Sequence, residues 1–164
     1  MIKKIFKTIL KVLIFVVIYL FQIYVINNTA FMGVKGNLCL MAVVIVALMD
    51  KEYVAYLVAG ICGIASDILF STTIGKYVVI YILIVSILIG LKKMYKSDNK
   101  IAIIIFSVLS IVIYEILQLV FSLMIGQAMV NVFSLIFMLI KESVINVGLA
   151  FLIYILLKPL NQEG

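Results

Sequence analysis

The chain has 164 residues, 67% of them hydrophobic and 12% charged, with one proline and a mean hydropathy of +1.38. Such a composition excludes an ordinary soluble domain and describes an all-α integral membrane protein, with room for about six spans of about 20 apolar residues and no separate soluble domain. The net charge of +6 comes from thirteen lysines scattered between apolar runs, with no arginine for bidentate phosphate contacts, so it points to a lipid bilayer and not to nucleic acid.

The opening segment carries Lys3, Lys4, Lys7 and Lys11 before an apolar run that continues to Ile26. That run is longer than the apolar region of a signal peptide, so it reads as a retained first span at about 6–26. An outer loop follows over Asn27 to Lys35. The second apolar run, at about 36–50, is short for a span, and Asp50-Lys51-Glu52 then marks a tight polar turn. The second and third spans, the latter at about 53–70, form a helical hairpin.

The third span contains an ionisable residue, Asp67, in otherwise apolar sequence. At 100° per residue, Tyr53, Tyr56, Gly60, Gly63, Asp67 and Ser71 fall within roughly 80° of one another, so the helix has one small and polar stripe. Glycines there let a neighbouring backbone come close, and a carboxylate there is expected to face protein or water, because hydrocarbon makes it costly. The stripe is therefore the expected inner face. Beyond it, Ser71, Thr72, Thr73 and Gly75 suit a chain reversal or a helix cap.

The fourth span, at about 76–92, ends in the most lysine-rich loop, residues 92–100. Ten lysines fall on one side of this arrangement and two, Lys35 and Lys76, on the other, with Lys141 unassigned. The positive-inside rule then places both termini in the cytoplasm, with an even number of spans. The fifth span, at about 101–125, carries a second polar stripe of Ser107, Ser110, Tyr114, Gln118 and Ser122, bordered by Glu115. Its hydroxyls and amide are expected to join helices by hydrogen bonds. The last apolar stretch is broken by Lys141-Glu142, which favours a sixth span at about 139–157 preceded by a loop or shallow interfacial helix; a long tilted helix from Asn131 is the other reading. Glu142 and Asn146 are four apart and share a face.

Counted from the inner ends of their spans at 1.5 Å per residue, Asp67 and Glu115 lie at about 21 Å and Glu142 at about 24 Å in a core about 30 Å thick. Two readings follow. The three acids line an outward-facing polar cavity, or each marks a helix end at the outer interface. No nucleophile motif, phosphate loop or metal-binding motif is present, so the chain reads as non-enzymatic. Histidine is absent, and Cys39 and Cys62 lie singly in apolar runs, so neither a metal centre nor a disulfide framework has support, and no cofactor is implied.

The segment GICGIASDILFSTTIG at 60–75, the acid within IYEILQLVF and the asparagine within SVINVGLAFLIYILL resemble the pattern of the MreD family of rod shape-determining membrane proteins. The matching residues are Gly60, Gly63, Asp67, Gly75, Glu115 and Asn146. Where many relatives have a proline at the start of the last span, this chain has Lys141, Glu142 and Ser143. The resemblance implies a six-span scaffold of the cytoplasmic (inner) membrane in the machinery of cell shape and lateral peptidoglycan synthesis. It also implies binding to an MreC-like periplasmic protein and, directly or indirectly, contact with an MreB-like actin filament and the wall synthases. Whether copies pair as a homodimer is left open. The family is also similar in fold to the substrate-binding subunits of energy-coupling-factor vitamin importers, which supplies the alternative function: a small ligand held in an outward cavity.

Overall fold

The computed structural model describes residues 2–26, 36–70, 73, 75–94, 100–126 and 132–161. The described residues form helices and no strands: α1 (Ile2–Phe21), drawn out into a π-helical turn over Gln22–Ile26, α2 (Leu38–Met49), α3 (Glu52–Phe70), α4 (Lys76–Met94), α5 (Lys100–Met124) and α6 (Val132–Asn161). Three of them, over Glu52–Phe70, Lys100–Met124 and Phe133–Leu160, are long and apolar enough to cross a membrane.

The bundle is built around α2. Ten of its residues in a row, Leu38 to Ala47, are buried, and every other helix packs against it. Twelve residues rise only about 18 Å, well short of a hydrocarbon core of about 30 Å. A helix this short and apolar on all sides gains most from burial in protein, since its ends would otherwise lie within lipid with unsatisfied backbone groups. Side chains from other helices meet both ends. At its C-terminus the Lys92 ammonium of α4 donates to the carbonyls of Ala47 at 3.0 Å and Asp50 at 3.3 Å, a favourable place for a cation.

α3 and α4 form the tightest antiparallel pair. The buried face of α3 is Ala55, Ala59, Gly63, Ser66 and Asp67. This corrects the expected inner stripe in its first half: Tyr53 and Tyr56 are 62% and 37% exposed, and an added Cβ at Gly60 would meet nothing within 4 Å. Small residues at i, i+4, i+8 set the contact instead, because they let the helices approach backbone to backbone. At Gly63 the approach is complete, since a Cβ there would lie 2.6 Å from the Val78 Cα. Tyr56 uses its outward position to donate a hydrogen bond to Ser86 on α4 at 3.2 Å.

α6 is continuous from Val132, so the longer of the two readings of the last apolar stretch describes the helix and a start near Leu139 does not. Lys141-Glu142 fails to interrupt it for a physical reason. Glu142 turns into the bundle, where it is buried, and the Lys141 ammonium lies 5.4 Å from the Phe137 ring centroid. The outward faces are largely apolar, as with Leu57, Ile61, Ile64 and Ile68 on α3 and Val144, Leu152 and Ile155 on α6. Water would not tolerate so continuous an apolar belt, and acyl chains would cover it.

Candidate functional site

The polar chemistry gathers at the end of the bundle where α1, α3 and α5 finish and α2, α4 and α6 begin. Two helices start there inside the protein, and the amides of a first turn have no partners in their own helix. Asp67, near the end of α3, supplies partners for α4. Its Oδ1 accepts from the Tyr77 N–H at 2.8 Å, and its Oδ2 accepts from the N–H groups of Gly75 at 3.0 Å and Val78 at 3.3 Å. The carboxylate thus sits on the positive end of the α4 dipole, with its lone pairs satisfied by the amides that most need an acceptor. Gly75 makes the turn, at φ +93°, where a side chain would be strained.

α2 is capped in the same manner from three directions. Asn37 takes the Leu40 N–H on its own side chain at 2.9 Å. Gln22, the first residue of the π-helical turn, accepts from the Leu38 N–H at 2.7 Å and donates to the Gly36 carbonyl at 3.2 Å. Asn146, from the middle of α6, accepts the Asn37 N–H at 2.7 Å and donates to the Glu142 carbonyl at 2.9 Å. α1, α2 and α6 are therefore tied at one point by side-chain amides.

Between these two capped helix starts lies a cavity of about 470 Å³. Its lining includes Gln22, Asn37, Ser66, Tyr77, Tyr81, Tyr114, Glu115, Gln118, Glu142 and Asn146. The three tyrosines make one wall, their ring centroids 6.2 to 6.5 Å apart. Glu115 is half-buried and Glu142 is 8% exposed. Their carboxyl groups interact with each other, and Lys76 acts on Glu115 from the α4 end.

The structure divides the expected acid level. Glu115 and Glu142 share the cavity, whereas Asp67 does not line it and is engaged by the α4 amides. Of the other residues singled out in the sequence, Gly63, Gly75 and Asn146 have defined structural work and Gly60 makes no close approach. The α5 serines act within their own helix: Ser110 donates to the Ser107 carbonyl at 2.8 Å, and the buried Ser107 hydroxyl has no partner among the described groups. Gln118 reaches Tyr114 on the same helix at 2.9 Å. Ser71, Thr72 and the outer loop over 27–35 lie outside the described residues. Cys39 and Cys62 are both free thiols, and α2 and α3 bring them against each other. Among the described residues no cluster of three potential metal ligands occurs.

Sequence reasoning missed Gln22, Asn37, the tyrosine wall and Lys92. Asn37 had a visible signal, a capping residue directly before an apolar run. Gln22 had a weaker one, a lone amide late in the first apolar helix.

Among the described residues, a helical bundle with a largely apolar exterior and three helices of spanning length defines a helical membrane protein. The family model of the rod shape-determining protein MreD matches residues 2–160, nearly the whole chain, and the chain belongs to that family. It is thus a rod shape-determining membrane protein. No curated protein and no solved structure matches it.

Proposed function

We propose that the chain is a non-enzymatic scaffold of the rod-shape machinery. In this reading it crosses the cytoplasmic membrane six times, with both termini inside, and binds an MreC-like periplasmic partner and, through it, wall synthases and an MreB-like filament. The observation that carries the reading is the family match over residues 2–160. The lysine asymmetry supports the orientation, and it puts the capped end of the bundle, with its cavity, on the periplasmic side. The six helices in antiparallel succession are consistent with six crossings, α2 making its passage inside protein. The interlocked caps suit a rigid platform whose partners read its surface.

The cavity favours the second reading, a substrate-binding subunit of an energy-coupling-factor importer, but no match of this chain supports such a role. Purification of the full chain from its native membrane tests the two together. Recovery with the MreC-like protein is expected, and recovery without it, or with an ATP-driven importer module, would overturn the proposal.

A further inference from the structure

The cavity is lined by two carboxyl groups, of Glu115 and Glu142, and by three tyrosine rings. Structural duty does not explain this combination. Asp67 shows what a structural acid looks like in this bundle: its oxygens are taken up by three amides. Glu142 is as deeply buried, at 8% exposure, yet no described amide caps its carboxyl, and it lines the cavity together with Glu115. The charged forms of two carboxyls in one cavity, one buried and one half-buried, repel each other and lose hydration, and a cation between them offsets both costs. Lys76 acts on Glu115, and its ammonium already rests 5.6 Å from the Tyr77 ring centroid.

We infer that this cavity is a binding site for an organic cation, an ammonium or guanidinium group held by Glu142 and Glu115 and resting on the wall of Tyr77, Tyr81 and Tyr114. The size decides against a bare metal ion. About 470 Å³ lies in the range of small-molecule pockets, some 300–1,000 Å³, and the described residues hold no three-ligand metal cluster. Aromatic faces attract a nitrogen cation within about 6 Å of the ring centroid, most strongly when water is excluded. Gln118, Asn37 and Asn146 around the same space offer amide groups to orient the rest of the ligand. The cation is either a free amine or a lysine or arginine side chain of a polypeptide. The chemistry is the same, and the inference rests on the cavity and not on the scaffold or importer reading.

The test uses the full chain in lipid nanodiscs, titrated with butylammonium, methylguanidinium and the capped tripeptide acetyl-Ala-Lys-Ala-amide, with butanol as the uncharged control. Binding is read by calorimetry and by thermal stabilisation. Saturable binding of at least one cation is expected, with none by butanol and at least tenfold weaker binding in Glu142→Gln. Glu115→Gln, at a half-buried position, gives the second reading if Glu142→Gln proves unstable. Tighter binding of the tripeptide than of butylammonium would assign the site to a polypeptide side chain, and the reverse to a free amine. Absence of saturable binding by all three cations, an equal response to butanol, or undiminished binding in both variants would overturn the inference.

Discussion

Asp67, Glu115 and Glu142 are three acids in apolar helices, and the bundle treats them differently. Asp67 answers the first-turn amides of Tyr77 and Val78 and the amide of Gly75 just before α4, so its removal leaves half-buried donors without acceptors. Each such donor costs about 1–3 kcal/mol, and Asp67→Ala is expected to lower stability by on the order of 3 kcal/mol in all. Asp67→Asn, which keeps one acceptor oxygen, is expected to lose roughly half as much. Glu142 lines the cavity beside Glu115 and answers no described backbone amide, so Glu142→Gln leaves no donor without an acceptor. It is expected to unfold at the same temperature as the wild type or a higher one. Thermal denaturation in one detergent ranks the three variants. Glu142→Gln falling below Asp67→Ala would contradict the different roles assigned to them.

At the scale of elements, α3 and α4 depend on one point of approach. Gly63→Ala places a methyl group against the Val78 backbone, which the helices can accommodate only by separating, at about 1–3 kcal/mol. Gly60→Ala enters open space and removes a poor helix former, so it is expected to be neutral or to stabilise by up to about 1 kcal/mol. Denaturation midpoints that failed to separate the two alanines would rule out this packing. For α2, Asn146→Ala leaves the Asn37 N–H without its acceptor and is expected to cost about 1–2 kcal/mol by the same measurement.

These elements also show what the sequence could and could not convey. Asp67 and Gly63 were legible as inward-facing because charge and small size have few other uses in an apolar helix. The first half of the stripe was not, since a tyrosine suits a lipid-facing position as well as a buried one. The run Ala55, Ala59, Gly63 carried the better signal. The partner of Asp67 was hidden because a cap between helices depends on how close two helix ends come, which periodicity does not encode. The same holds for Asn146 and Gln22, whose partners lie 109 and 16 residues away. The break at Lys141-Glu142 misled because charge in an apolar run ends a span only when it has nowhere buried to turn.

At the scale of the molecule, membership in the MreD family and an apolar exterior describe a bilayer protein, and the lysine pattern gives the proposed orientation. In a background with Cys39 and Cys62 replaced by alanine, Ser97→Cys is expected to react with a membrane-impermeant maleimide only after the cells are opened, and Asn28→Cys in intact cells. The opposite labelling would invert the topology and put the cavity on the cytoplasmic side. The central physical claim lies underneath: two helices begin inside the bundle and are made tolerable there by side chains from other helices. Amide hydrogen exchange in nanodiscs tests it most directly. The account predicts slow exchange at the Tyr77 and Val78 amides of the wild type, and its loss in Asp67→Ala while the middle of α4 stays protected. Fast exchange at those two amides in the wild type, or protection unchanged in the variant, would contradict it.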